Sequence, residues 1–171
     1  MALWTIQSVR HELEDRYTFA ERCNEAEETD YITSRIDVNN KCFLAPENMT
    51  EAIKSYCNNN DLIIPDTAGE IAAVVYKSLA DSYADTVMQI EKNLDITYDA
   101  IYVIGGGANA GYLNQLTADS TGKTVVAGPA EATAIGNIMA QMIADSVFKN
   151  LKEARACVRD SFDIKRFEQK R

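Results

Sequence analysis

Apolar residues recur every three or four positions along one long stretch in the middle of the chain. The stretch starts after Thr67, whose hydroxyl can cap a helix while Glu70, three residues on, reaches back to the start of the same helix. The repeating apolar positions are Ile71, Val74, Val75, Leu79, Tyr83, Val87, Ile90 and Leu94. This spacing predicts one long amphipathic helix that ends near Asn93.

Two short runs of β-branched and aromatic residues follow the long helix. We predict buried strands at residues 100–104 and 124–127, because each run is brief, apolar and followed by glycine. Further helices are predicted at residues 112–118, 131–144 and 151–159. Strand, helix, strand, helix at this spacing indicates a parallel strand pair within an α/β layer structure. Because two strands do not complete such a sheet, we expect the missing strands to lie upstream of Met1.

The sequence before the long helix divides into shorter pieces. Helices are predicted at residues 3–16, 18–28 and 48–57. Pro46 disfavours helix in the residue before it, so residues 34–46 are predicted to be extended or looped. The polar run at residues 58–61 is expected to end the third of these helices.

The composition is that of an ordinary globular domain, with 46% hydrophobic and 25% charged residues among 171. The 26 acidic residues outnumber the 17 basic ones and give a formal net charge of −9, which argues against nucleic acid and anionic membranes as partners. No apolar run reaches the roughly 18 residues of a membrane span, and no signal-peptide pattern opens the chain. We therefore expect a cytoplasmic protein of one domain.

Few residues offer reactive chemistry. The cysteines Cys23, Cys42, Cys57 and Cys157 form no C-x-x-C pair, so we expect reduced thiols and no zinc site. His11, the single histidine, lies in a charged stretch, and no Ser-His-Asp or Cys-His set can be assembled around it. No catalytic residue and no metal ligand is therefore predicted in the chain.

The clearest chemical signal is the run Gly105, Gly106 and Gly107, where the first predicted strand gives way to a helix. Without Cβ atoms the main chain can approach a ligand closely, and free amides at a helix start attract phosphate. A nucleotide site and a plain tight turn with positive φ both stay open on these residues alone. The dinucleotide fingerprint Gly105-x-Gly107-x-x-Ala110 fits less well, since no acidic residue ends the second strand.

Three weaker features each allow two interpretations. The run Gly122, Lys123 and Thr124 lacks the first glycine of a P-loop and precedes a strand, so we predict a turn with Lys123 in solvent. The small residues of segment 131–137 favour close packing of a helix on the sheet over ligand contact. Gln7, a polar residue on an otherwise apolar helical side, indicates either an internal hydrogen bond or a nucleotide contact.

Four segments together carry a family resemblance that extends over essentially the whole chain. They are IGGGANAGYLNQLTAD at residues 104–119, VAGPAEATAIGN at 126–137, LWTIQ at 3–7 and FLAPENM at 43–49. With these segments the chain closely resembles the rhamnulokinase branch of the FGGY carbohydrate kinases. The resemblance implies two actin-like, ribonuclease H-like lobes with ATP and sugar between them.

The resemblance also implies a place for this chain and for its site. Residues 1–171 would form the C-terminal, nucleotide-binding lobe, incomplete and without the N-terminal sugar-binding lobe. Gly106, with Gly105 and Gly107 beside it, would lie against the ATP phosphates or ribose, and Gln7 would contact the nucleotide. The family commonly has Asn four residues after the middle glycine; this chain has Ala110 there and Asn109 just before it, so an Asn contact from the turn stays open.

The implied reaction passes the γ-phosphoryl group of Mg-ATP to the 1-hydroxyl of L-rhamnulose. Such a transfer uses Mg²⁺ to neutralise charge and a carboxylate to accept the hydroxyl proton. In the family the catalytic Asp, the phosphate loop and the sugar site come from sequence before Met1, so L-rhamnulose would be bound through the N-terminal lobe. The chain alone is therefore expected to phosphorylate nothing.

Two other functions stay open. The chain belongs to a kinase for another sugar if the absent sugar-selecting residues differ, or it is a non-catalytic nucleotide-binding module. In either case a sheet without its first strands exposes an edge and an apolar face. Self-association of the isolated chain is therefore expected.

Overall fold

The computed structural model describes residues 8, 9, 12, 26 and 29 and residues 31–170. The helices predicted at residues 3–16 and 18–28 lie almost entirely outside the described residues, as do Gln7, His11 and Cys23. Five α-helices are defined in residues 31–170: α1 (Met49–Asn59), α2 (Ala68–Leu94), α3 (Gly111–Thr121), α4 (Ala132–Ala144) and α5 (Leu151–Ser161). The strands are β1 (Ala100–Val103), β2 (Thr124–Ala127) and β3 (Lys165–Phe167), and two short 3-10 helices span Lys41–Phe43 and Gly105–Asn109.

Helix α2 begins as the sequence predicts. The Thr67 hydroxyl accepts a hydrogen bond from the Glu70 amide at 3.2 Å, and Glu70 Oε2 accepts one from the Thr67 amide at 3.1 Å. This reciprocal pair is a capping box, which satisfies amides that the first helical turn leaves free. The helix ends at Leu94, where Asp95 takes the left-handed conformation with φ 53°, one residue beyond the predicted end.

The core is built around the first half of α2, whose residues are buried from Ile71 to Ala80. A segment of irregular backbone before α1 packs across this half and is tied to it by polar contacts. The Ile36 amide donates to Ser78 Oγ at 2.9 Å, and Lys77 Nζ donates to the Ile32 carbonyl at 3.0 Å. These contacts satisfy backbone groups of a segment that has no strand partner.

The three strands form one mixed sheet in the order β1-β2-β3. Strands β1 and β2 are parallel, with Tyr102 opposite Val126, which confirms the predicted parallel pair. Strand β3 pairs antiparallel with β2, and Arg166 lies opposite Val126. Strand β3 was not predicted, because it is only three residues long and two of them are charged, so it shows no apolar pattern.

Strand β1 corrects one expectation, since it is not buried on both faces. Tyr102 is 74% exposed and Ile104, just after the strand, is 61% exposed, whereas Val125 and Ala127 of β2 are buried. In the described part of the chain β1 is an edge strand, and Tyr102 faces an open cleft rather than a packed layer. An apolar run therefore identified the strand but not its burial.

Two further expectations are wrong. In α4 only Ile135 is buried, and a Cβ added at Gly136 would meet nothing within 4 Å, so segment 131–137 is not closely packed on the sheet in the described structure.

Lys123 is not in solvent: its side chain is 12% exposed, lies 2.7 Å from Glu91 Oε1 and donates to the Tyr98 carbonyl at 2.8 Å. The hydrogen bond from Lys123 lowers the pKa of Glu91. Lys123 thus ties the end of α2 to the start of β2.

The remaining structural expectations concern thiols and membranes. Cys42, Cys57 and Cys157 are free thiols, as predicted for them. Among the described residues, no helix combines the length and the apolar character needed to cross a bilayer.

Candidate nucleotide site

The candidate site lies where the parallel strands β1 and β2 end. Backbone pairing continues past both strands, because the Gly128 amide donates to the Val103 carbonyl at 2.9 Å and the Gly105 amide donates to the Pro129 carbonyl at 3.4 Å. The glycine turn after β1 and the loop after β2 therefore lie side by side. Ligands of open α/β sheets bind at this carboxyl edge of parallel strands.

The three glycines, Gly105 to Gly107, lie in one 3-10 turn. Gly105 and Gly106 differ in backbone conformation and in the space around their Cβ positions. Gly105 has φ 74°, a left-handed conformation that favours glycine, so the tight-turn interpretation accounts for it. Gly106 is exposed, lacks a positive φ, and would place an added Cβ in open space with nothing within 4 Å. Neither strain nor packing among the described residues accounts for glycine at this position. A glycine there leaves room for a ligand to approach the main chain closely.

The Gly106 amide also has no backbone hydrogen-bond partner among the described residues. It stands at the start of the 3-10 helix, where amides have no partner within the helix. An exposed amide without a Cβ beside it is a suitable donor for a phosphate or ribose oxygen. The site can therefore bind an anion through its main chain.

The helix starts at this edge of the sheet differ from the other helix starts. Side chains cap α1, α2 and α5 through Asn48, Thr67 and Asn150. No side-chain hydrogen bond caps α3 or α4, whose N-cap residues are Ala110 and Glu131. The positive ends of these two helix dipoles, which follow the glycine turn and the β2 loop, are not neutralised by a cap.

One residue outside the glycine turn contacts it, and the sequence motif did not predict this contact. Asn114 of α3 is 3% exposed, and its Nδ2 donates to the carbonyl oxygens of Gly107 and Ala108, each at 3.3 Å. The only sequence signal for it is a polar residue in the run Leu113, Asn114, Gln115, Leu116, which does not reveal the partner. Gln7, the other predicted nucleotide contact, lies outside the described residues.

An apolar groove of about 420 Å³ adjoins the turn between α2, β1 and α3. Its lining includes Tyr83, Val87, Val103, Gly107 and Leu113 and contains no carboxylate, imidazole or thiol. Within the described part of the chain no group of three His, Cys, Asp or Glu side chains could hold a metal ion. The arrangement therefore supports binding, and no general base lines this groove among the described residues.

Comparison with known proteins identifies the family of the chain. Residues 1–144 match the family model for the C-terminal domain of the FGGY family of carbohydrate kinases. The chain therefore belongs to the FGGY family of carbohydrate kinases, and the matched part includes the candidate site.

Within that family the chain is similar to proteins named rhamnulokinase. It is 45% identical to the one from Bacillus subtilis over 170 residues, or 99% of this chain. It is 44% identical to that of Oceanobacillus iheyensis over 96% of this chain, and 40% identical to that of Lactiplantibacillus plantarum over 98%. The chain spans about a third of the length of these relatives, namely 35%, 35% and 34%.

Proposed function

We propose that this chain is the C-terminal, nucleotide-binding part of a kinase that uses ATP to phosphorylate L-rhamnulose to L-rhamnulose 1-phosphate. The family match and the identity of 40–45% to three rhamnulokinases support this proposal over a kinase for another sugar. The single observation that carries the nucleotide role is Gly106, an exposed residue after two parallel strands whose amide has no backbone partner among the described residues and whose Cβ position is open space. A non-catalytic binding module would use the same turn.

In this proposal the ATP phosphates or ribose lie against Gly106, with Gly105 and Gly107 shaping the turn. The positive ends of α3 and α4 attract the same negative charge. Gln7 contributes an amide to the nucleotide. The small apolar side chains of Ala108 and Ala110 are buried, so no bulky group of the turn stands between ligand and main chain.

The proposed fold is an actin-like, ribonuclease H-like lobe, of which residues 1–171 form a part. Its support is the parallel pair β1 and β2, each followed by a helix, in a chain that matches the family's C-terminal domain model. The N-terminal sugar-binding lobe would come from the two-thirds of the relatives' length that this chain does not match. L-Rhamnulose would be held there.

Phosphoryl transfer requires Mg²⁺ and a carboxylate that accepts the hydroxyl proton. The described residues offer no cluster that fits a metal ion, so we propose that Mg²⁺ reaches the site on the ATP phosphates, with its protein ligands elsewhere in the longer protein. What this chain's residues do is bind and orient the nucleotide. The 171-residue chain alone is accordingly proposed to be inactive, and ATP-dependent phosphorylation of L-rhamnulose by the purified chain would overturn that part.

The nucleotide role is tested by a single methyl group. Gly106→Ala places a Cβ where nothing lies within 4 Å, so we expect the folded chain and its melting temperature to be unchanged. The methyl group would hold a ligand away from the main chain and raise the ADP dissociation constant about tenfold, which is equivalent to about 1.4 kcal/mol. Isothermal titration calorimetry gives the constant, and the Gly105–Gly107 amide signals in a ¹H–¹⁵N spectrum locate the ligand.

The matched control is Gly136→Ala in α4, where an added Cβ also meets nothing within 4 Å. This variant should bind ADP like the unmodified chain. Amide signals of the glycine turn that do not move at saturating ADP would contradict the proposal, as would equal ADP affinity of Gly106→Ala and the unmodified chain.

A further inference from the structure

Asn114 is a polar residue in a buried place. It lies on the inward side of α3 among Leu113, Thr117 and Ala118, which are also buried, and it is 3% exposed. Burying a side-chain amide is unfavourable unless the amide is hydrogen-bonded, and a leucine would bury more apolar surface at the same position. The residue therefore has to be explained by its partners.

Both partners belong to the glycine turn. Asn114 Nδ2 lies 3.3 Å from the Gly107 carbonyl oxygen and 3.3 Å from the Ala108 carbonyl oxygen. Both carbonyls lie near the end of the 3-10 helix Gly105–Asn109, and the Gly107 carbonyl also accepts a hydrogen bond from the Ala110 amide at 3.1 Å. Only the amide nitrogen carries protons for two carbonyls, so the orientation of the Asn114 side chain is fixed.

The turn is thus held at both ends. At its start the Gly105 amide donates to the Pro129 carbonyl at 3.4 Å, which attaches it to the loop after β2. At its end Asn114 attaches it to α3. Between these two points Gly106 is exposed, and its amide has no backbone partner among the described residues. Peptide planes are rigid, so fixing the two carbonyls restricts the orientation of the whole short helix.

We propose that Asn114 is a positioning residue for the nucleotide. Its hydrogen bonds to two carbonyls of the glycine turn fix the turn and so set the direction of the Gly106 amide. This inference rests on the proposed nucleotide role of the turn. Asn114 touches no ligand itself. Its contribution is preorganisation, since a turn already held in its bound geometry loses less conformational freedom on binding.

The test replaces Asn114 in the 171-residue chain by side chains of similar size that lack the two amide protons. Asn114→Leu removes both hydrogen bonds, and Asn114→Asp leaves at most one, and only when its carboxyl group is protonated. Two quantities are measured: hydrogen exchange of the amides in the turn without ligand, and the dissociation constant for ADP. We expect faster exchange confined to residues 105–110 and an ADP dissociation constant raised about tenfold.

Thr117→Val is the matched control. Thr117 is equally buried on the same helix, but its hydroxyl donates at 2.7 Å to the Leu113 carbonyl, within α3 and away from the turn. This variant should change the melting temperature as much as the Asn114 variants do, while exchange in the turn stays the same and the ADP constant changes less than about twofold.

The outcomes separate the two proposals. Failure of the unmodified chain to bind ADP overturns the proposed function. If the unmodified chain binds ADP, unchanged exchange in the turn or unchanged ADP affinity in the Asn114 variants overturns the positioning role alone. If Asn114→Leu does not fold, the same two measurements on Asn114→Asp decide. Equal loss of ADP affinity in Thr117→Val would also overturn the positioning role, because a general effect on α3 would then explain the loss.

Discussion

Glu70 holds three groups at the start of α2. Its Oε1 accepts a hydrogen bond from the Tyr31 hydroxyl at 2.6 Å, and its Oε2 accepts bonds from the Asp66 amide at 2.6 Å and the Thr67 amide at 3.1 Å. The bond from Tyr31, with those from the two amides, lowers the pKa of Glu70 below its ordinary value of 4.5. The same contact raises the pKa of the Tyr31 hydroxyl. One carboxylate thus joins an irregular segment to the central helix.

This pairing predicts how stability depends on pH. Because folding lowers the pKa of Glu70, the stabilisation by its ionised carboxylate is fully present above pH 4.5 and is lost as the pH falls through the folded-state pKa. Glu70→Gln should lower the free energy of unfolding by about 0.5–1 kcal/mol at pH 7, the range for exposed capping contacts. The difference from the unmodified chain should narrow below pH 4.5. Urea unfolding followed by circular dichroism over a pH series measures it.

Glu47→Gln is the control for this series. Glu47 is exposed and makes no hydrogen bond or ion pair with the described residues. Its variant should match the unmodified chain at every pH. A Glu70→Gln difference that stayed constant down to pH 3 would rule out the ionised carboxylate as its source.

Among the elements, Gly128 follows β2 directly and packs against the segment that precedes β3. It has φ 120°, and a Cβ added there would lie 3.0 Å from the Asp163 carbonyl oxygen and 3.6 Å from the Ile164 Cα. Backbone rather than a flexible side chain fills that space, so nothing can move aside cheaply. The close approach of segment 163–164 to Gly128 is part of what positions β3 against β2.

Two alanine substitutions of opposite sign follow from the glycine environments. Gly128→Ala combines a strained φ with a backbone contact and should lower the free energy of unfolding by about 1–3 kcal/mol. Gly136→Ala, within α4 and with open space around it, should raise it by about 0.5–1 kcal/mol because alanine favours helix. Thermal and urea unfolding measure both. A Gly128→Ala variant as stable as the unmodified chain would show that segment 163–164 does not approach Gly128 as described.

The sequence was informative about elements whose signal is local. The capping box at Thr67 and the apolar repeat predicted α2 within one residue at its end, and glycine at position 122 marked the end of α3 with φ 66°. Strand β3 and the half-buried position of Lys123 depend on tertiary partners. The segment after β3 contacts α3, where Gln115 Nε2 donates to the Glu168 carbonyl at 2.8 Å. Apolar periodicity in the sequence does not predict such a contact.

The same division holds for the candidate site. The glycine run was visible in the sequence because absence of side chains is itself the signal. Asn114 was not, because a polar residue in a helix is ordinary until its burial and its two carbonyl partners are known. The exposure of Tyr102 could not be predicted either, since an apolar strand can have the same sequence pattern at the edge and at the centre of a sheet.

For the molecule as a whole, the side of β1 that has no strand partner among the described residues is the feature we expect to govern association. The carbonyls of Asp99 and Val103 accept hydrogen bonds from the chain at β2, so the alternate residues Ala100, Tyr102 and Ile104 direct their backbone groups to the free edge. The apolar groove of about 420 Å³ runs along this edge. Such an edge is a template for a further strand. In a protein of the relatives' length other segments can supply that strand, and for the isolated chain a second copy can.

We therefore expect the 171-residue chain to associate with itself through β1, and light scattering after size exclusion should give a mass above the 19.0 kDa of one chain. Ile104→Lys places a charge on the edge at a residue that is 61% exposed, so it should restore 19.0 kDa without loss of stability. Val147→Lys, at a residue that is 58% exposed in the loop after α4, makes the same chemical change elsewhere and should leave the association intact. A mass of 19.0 kDa for the unmodified chain across a concentration series would contradict self-association, and equal effects of both lysines would place the contact away from β1.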